Sequence, residues 1–166
     1  MVQFRSTTHF FDASAGVELS DIEDIKRNAR DRARTQNLPY AGALQPAEAH
    51  ELMKAGIRLV DVRTRAELEW VGRVPGALPV EWNTWPGGKP NPEFLAQLSE
   101  HADKAEPVMF LCRSGGRSHS AAAAATSAGY LECYNVLEGF EGDKDANQHR
   151  NTVNGWRSRD LPWVQG

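Results

Sequence analysis

Pro107-Val108-Met109-Phe110-Leu111-Cys112-Arg113-Ser114-Gly115-Gly116-Arg117-Ser118 is the stretch on which the fold turns. From Pro107 to Leu111 it is continuously apolar, the pattern of a short strand buried on both faces. From Ser118 to Ala128 it is rich in alanine and closes on Gly129, which reads as a helix with a glycine stop. A cysteine therefore stands at the carboxyl end of a buried strand, at the mouth of a glycine-rich turn, with a helix about to start. In open α/β sheets ligands bind at such a place. The helix N-terminus, the backbone N–H groups of a turn able to curl into an anion-binding nest, and the guanidinium groups of Arg113 and Arg117 all favour negative charge on the sulfur. Cys112 is thus the candidate nucleophile, in its thiolate form.

The segments on either side alternate. Pro46 suits the first turn of a helix running to about Ala55, with Gly56 as its stop. Arg58-Leu59-Val60-Asp61-Val62 is a β-rich run, and Thr64-Arg65-Ala66-Glu67 is a capping box that opens a helix toward Val71. Ala77-Leu78-Pro79-Val80 suits a short strand, at a sheet edge because of its proline. The loop from Glu81 to Pro90 carries Trp82 and Trp85, and Asn91-Pro92 starts a helix to about His101. After the alanine-rich helix, Glu132-Cys133-Tyr134-Asn135-Val136 makes a further strand. Strands alternating with helices predict an α/β fold with a parallel sheet flanked by helices on both faces.

Residues 1–40 are expected to be an extension with one helix. Met1 to Gly16 has no clear period and reads as partly ordered. Ser20-Asp21-Ile22-Glu23 is a capping-box pattern, and Ile22, Ile25, Ala29 and Ala33 follow at helical spacing. Arg30, Arg32 and Arg34 at the end of that helix suit its dipole. They read as a solvated face rather than a nucleic-acid patch, because Asp21, Glu23 and Asp24 share the helix. Asn37 to Gly42 then links the extension to a main domain over residues 41–140. In the tail, residues 141–166, Trp156 and Trp163 either fold back over the core or form a partner surface.

Composition bounds the function. The chain has 166 residues, 40% apolar and 25% charged, which suits one domain with extra segments. Its net charge of -3 gives no push toward nucleic acid or an anionic membrane. No apolar run is long enough to span a bilayer, and Arg5, His9 and Asp12 speak against a secretory signal. Two cysteines make no disulfide framework, so a reducing, cytoplasmic setting is expected. Cys133 opens a strand whereas Cys112 ends one, about 15 Å away in a parallel sheet and beyond the reach of a disulfide at about 6 Å. The five histidines show no paired ligand spacing, so no metal site is expected.

Three stretches carry a resemblance. Leu59-Val60-Asp61-Val62-Arg63, then Gly72-Arg73-Val74-Pro75-Gly76-Ala77, then Cys112 to Ser118 resemble the signatures of single-domain rhodanese-like sulfurtransferases, in the family's order. The likeness covers about Leu44 to Val136. One departure is visible, since the family usually has His where this chain has Arg73. The resemblance implies a rhodanese-like sheet and a two-step sulfur transfer through a persulfide on Cys112, from a thiosulfate-like donor to cyanide or a thiol. The partners it implies are a small-molecule sulfur donor and a thiol or cyanide acceptor, with a protein sulfur acceptor as the alternative, and no metal or organic cofactor is called for. Backbone N–H groups from Arg113 through Ser114, Gly115, Gly116 and Arg117 to Ser118 would hold the charged sulfur, with Gly115 and Gly116 free to take φ > 0. Asp61 and Arg63 would support the loop. Similar tails accompany some bacterial single-domain members, so residues 141–166 are expected to pack on the domain and border the pocket.

Two other readings compete. Cysteine-dependent phosphatases and arsenate reductases use Cys-x5-Arg, whereas here the arginine falls at Cys-x4-Arg and Ser118 takes the phosphatase arginine's place. Many rhodanese-like domains are docking or regulatory modules, although those often lack the cysteine. His119 reads as a helix-face residue, and Trp82 and Trp85 as packing residues or pocket walls.

Overall fold

Five short strands build one sheet in the computed structural model, which describes residues 18–166. They are β1 (Gly42–Leu44), β2 (Arg58–Asp61), β3 (Leu78–Pro79), β4 (Val108–Leu111) and β5 (Cys133–Val136). Their order is β1-β5-β4-β2-β3, and each pairing is parallel. The helices are α1 (Leu19–Thr35), α2 (Pro46–Lys54), α3 (Arg65–Trp70), α4 (Phe94–His101) and α5 (Gly116–Ser127). The expectation of a partly ordered Met1 to Gly16 lies outside the described residues.

β4 is central because it is apolar on both sides. Val108 and Phe110 face one core with Phe94 and Leu98 of α4 and Ala121 and Ala125 of α5. Met109 and Leu111 face the other, with Ala29 of α1, Leu52 of α2 and Trp156. Every residue of the strand is buried, and each large apolar side chain so placed stabilises the fold by about 1.5–3 kcal/mol. The alanines of α5 let that helix sit close to the sheet, which fixes where its first turn points.

Several sequence-based boundaries move. β1 is not among the expected strands and takes the last residue of the Asn37 to Gly42 linker, since a three-residue strand beginning with glycine has no alternating pattern to detect. Glycine is required there: a Cβ on Gly42 would stand 2.7 Å from the Tyr134 ring and 2.9 Å from the Ala29 methyl. α1 starts at Leu19 after Glu18, so Ser20 is already helical and the expected capping box does not form. α4 starts at Phe94 rather than Asn91, whose Oδ1 instead accepts the Glu93 N–H at 3.0 Å. α5 starts at Gly116, two residues before Ser118, so Arg117 and Ser118 belong to its first turn.

The arginines of α1 are not simply a solvated face. Arg32 forms a two-pronged pair with Glu48 of α2 (2.6 and 3.1 Å) and donates to the Ala43 carbonyl. Arg30 and Lys26 both reach Glu132. These contacts pin α1 across β1. At the other end of the chain, Trp156 is fully buried and its Nε1 donates to the Pro162 carbonyl at 2.9 Å. Trp163 packs edge-on against Phe140 and lies under the Arg157 guanidinium. Arg73 and Val164 exchange backbone hydrogen bonds of 2.8 and 2.9 Å, so the position where the family usually has His clasps the tail through its main chain.

Candidate functional site

The site lies where β4 ends. Cys112 is buried at the base of a loop running from Arg113 to Gly115, and Gly115 takes φ +107° to turn the chain into α5. That conformation belongs to glycine, since a side chain there is strained. Gly116 differs from expectation: its φ is not positive and a Cβ there would meet nothing within 4 Å, so only one of the two loop glycines is needed for its backbone angle. The Gly115 N–H donates to Cys112 Sγ at 3.1 Å. Ser118 Oγ lies 3.3 Å from the same sulfur and donates to Asn135 Oδ1 at 2.6 Å.

The outer wall of the loop is bolted to the chain that leaves β5. The Phe140 N–H donates to the Cys112 carbonyl at 2.8 Å, and the Glu141 and Gly142 N–H groups both donate to the Arg113 carbonyl. Gly139 makes that approach possible. At φ +69°, a Cβ on it would stand 2.5 Å from the backbone of Arg113 and Ser114. Sequence reasoning gave Gly139 no role, because the close approach exists only in the folded chain.

Charge around the loop is arranged unevenly. Arg117 donates to both oxygens of Glu67 at 2.8 and 2.7 Å, so its guanidinium is shared with α3. Glu67 also completes the Thr64 capping box, accepting from the Thr64 N–H and Oγ1. Burial alone would raise the Glu67 carboxyl, but the hydrogen bonds from Arg117 and Thr64 overcome it and hold it at about 2. The same pairing raises Arg117 above its ordinary value and keeps it cationic. Arg113 is exposed and has no ion-pair partner among the described residues. Glu67 was legible only as a cap; its grip on Arg117 needs α3 beside the loop.

Asp61 and Arg63 form a buried pair. Arg63 Nη2 donates to Asp61 Oδ2 at 2.7 Å and Nε reaches both carboxylate oxygens. Nη2 also donates to the Gly72 carbonyl, and the guanidinium lies 4.2 Å from the Phe140 ring centroid. Asp61 is opposite Leu111 in the β2–β4 register, so this pair braces the strand end that presents Cys112.

Beside the loop opens a cavity of about 390 Å³ bounded by Glu67, Trp70, Trp85, Arg113 and Arg117. Trp70 and Trp85 are 68% and 62% exposed, unusual for tryptophan. Trp82 packs edge-on against Phe94 and does not line it. No residue of the 141–166 tail lines it either, contrary to the expected border; Glu141 and Gly142 hold the Arg113 carbonyl, and Trp163 and Val164 lie against Gly72, Arg73 and Phe140. A larger groove of about 550 Å³ lies at the amino end of β2, around Ile57 and Leu78, and carries none of the loop's groups. Among the described residues no three His, Cys, Asp or Glu side chains converge as metal ligands, and no helix is long and apolar enough to cross a membrane.

A parallel sheet presenting one buried cysteine to a backbone N–H at the start of a helix defines an α/β protein with a cysteine-centred loop at a strand end. Residues 45–146 match the rhodanese-like domain family. Rv0390 from M. tuberculosis, a crystal structure, superimposes with a TM-score of 0.70 at 45% identity, over 76% of this chain and 99% of that one. An uncharacterized Rickettsia conorii protein, RC0915, is 39% identical over 109 residues, 63% of this chain and 80% of its own length. The chloroplastic thiosulfate sulfurtransferase 16 of Arabidopsis thaliana is 36% identical over 94 residues, 55% of this chain and 78% of its own. The chain belongs to the rhodanese-like domain family, a family of sulfurtransferase type.

Proposed function

We propose that the chain is a sulfurtransferase in which Cys112 carries sulfur as a persulfide, from a thiosulfate-like donor to cyanide or a thiol, in a reducing cytoplasmic compartment. The observation that carries this reading is the Gly115 N–H aimed at Cys112 Sγ from 3.1 Å at the head of α5, a donor fixed before any charge forms. The Cys112 thiolate attacks the outer sulfur of thiosulfate. The donor's S–S bond breaks, and sulfite leaves with its electron pair. The new Cys112 persulfide is anionic on its outer sulfur. Cyanide or a thiolate then attacks that outer sulfur and releases the Cys112 thiolate.

Arg113 and the cavity beside it suit the entry of an anionic donor, while Asp61 and Arg63 hold the strand end. A phosphatase is disfavoured because Ser118, at the phosphatase arginine's place, is fully buried and bonded to Asn135. A docking module would have no use for a cysteine seated on a donor. Intact mass after incubation with thiosulfate, before and after cyanide, tests the reading. Wild type should gain one sulfur and lose it to cyanide, and Cys112→Ser should gain none. A folded, reduced wild type that gains no sulfur would sink the thiosulfate reading.

A further inference from the structure

The Asn135 carboxamide connects the nucleophile to groups that sulfur transfer leaves unused. Asn135 lies in β5, two residues after Cys133 and on the same side of the sheet as α5, and is only 3% exposed. Its Oδ1 accepts from Ser118 Oγ at 2.6 Å, and its Nδ2 donates to the Gly115 carbonyl and the Tyr40 oxygen, both at 3.3 Å. Tyr40 OH lies 2.7 Å from His119 Nδ1. With the 3.3 Å contact from Ser118 Oγ to Cys112 Sγ, a continuous polar path runs from the nucleophile to a half-buried imidazole. Tyr40 precedes the family-matched residues 45–146, so part of this path comes from outside the common domain.

The partners fix the orientation of the Asn135 carboxamide. The Gly115 carbonyl can only accept, so Nδ2 faces it and Oδ1 faces Ser118. Tyr40 accepts from Nδ2, and its hydroxyl pairs with His119 Nδ1, which accepts from it in the Nε2–H tautomer and donates to it in the other. Burial raises the Tyr40 phenol, opposed by its hydrogen bond from Asn135, so it keeps its proton. Ser118 has one hydrogen, and Asn135 takes it. Toward Cys112 it presents lone pairs, which accept from a thiol S–H but give nothing to a thiolate.

We propose that Asn135, braced by Tyr40 and His119, is a positioning residue that draws the Ser118 hydroxyl hydrogen away from Cys112 and so governs how readily the thiol gives up its proton. The inference rests on Cys112 being the nucleophile. Ionisation turns the Ser118 hydrogen from Oδ1 to Sγ, so amide and sulfur compete for one donor. Of the other charged groups, Arg117 feels the sulfur's charge and is paired with Glu67, while Asp61, opposite Leu111 at the strand end, is paired with Arg63. They are unaltered by the changes below.

The test is the thiolate's ultraviolet absorbance against pH, taken as the difference between each protein and the same protein carrying Cys112→Ser. The proteins are wild type, Asn135→Leu, Asn135→Asp and Tyr40→Phe. Asn135→Leu leaves the Ser118 hydrogen no partner but the sulfur, and the midpoint should fall by about one pH unit, the weight of one hydrogen bond to a charged group. Asn135→Asp keeps the acceptor and adds negative charge, so the midpoint should rise. Tyr40→Phe removes the brace and keeps the ring, and should lower the midpoint by less than Asn135→Leu. Unchanged midpoints, or the same direction for Leu and Asp, would overturn the proposal. Should Asn135→Leu fail to fold, unchanged midpoints in Asn135→Asp and Tyr40→Phe would do so. No sulfur donor enters this measurement. Failure of thiosulfate loading with these shifts intact would therefore count against sulfur transfer alone.

Discussion

Gly139→Ala should disable the site without touching a residue of the loop. The added methyl would stand 2.5 Å from three backbone atoms of Arg113 and Ser114, where real contacts open to 3.0–3.4 Å, so the loop must move by about 0.5–0.9 Å. The neighbours are backbone, held in turn by the hydrogen bonds from Phe140, Glu141 and Gly142, and cannot swing aside as a flexible side chain would. A misplacement approaching 1 Å costs about 100-fold in rate when reacting groups must align. The positive φ of Gly139 adds about 1–2 kcal/mol of backbone strain for an L-residue, which lowers Tm by roughly 2–8 °C in a chain of this size. Steady-state thiosulfate–cyanide turnover and thermal unfolding, run on one preparation, separate the two effects. The expected result is a folded protein with a modest Tm loss and a fall in kcat/KM of about two orders of magnitude. A Gly139→Ala protein with wild-type turnover and wild-type Tm would refute the argument that the chain after β5 sets the loop's position.

Two further outcomes follow from packing and charge. Glu67→Gln should lower Tm at neutral pH, because the carboxylate held at about 2 by Arg117 and Thr64 binds its proton less readily when folded than the ordinary 4.5 of the free group. Its stabilisation is therefore present above about 4.5 and is lost as pH falls through about 2, so the Tm gap between wild type and variant should close over that range; a gap independent of pH would contradict the assignment. Trp156→Ala empties the fully buried site where the tail enters the core; it should cost about 3–5 kcal/mol and roughly 6–20 °C in Tm, and a loss within 2 °C would mean the tail is not part of the core.

Much of the fold was legible because its signals are local. A buried parallel strand must be apolar on both faces, and Val108 to Leu111 is; a capping box needs two residues three apart, and Thr64 with Glu67 forms one as read. Gly56 and Gly129 took the positive φ expected of residues just past a helix. What failed had no local signature. β1 is too short to show alternation and exists because β5 offers it a free edge under α1. The Ser20 capping box matched a pattern, yet α1 begins two residues too early for Ser20 to cap it.

For the site, the sequence by itself determined the chemistry on offer: one cysteine at a strand end, a glycine able to turn the chain, and a helix to follow. Those properties travel with a dozen consecutive residues and the physics of strand, turn and helix termini. The tertiary structure alone decided the partners. Glu67 takes Arg117, Gly139 sets the loop's place, Arg63 turns onto Asp61 and Phe140, and Asn135 draws Tyr40 and His119 into line with Cys112. These contacts join residues 17 to 95 positions apart in some pairs and two in another, such as Ser118 with Asn135 at 17, Asn135 with Tyr40 at 95 and Arg63 with Asp61 at 2. Which of many compatible donors and acceptors meet is settled when helices and strands pack, since hydrogen bonds act over about 3 Å and no sequence pattern carries that distance.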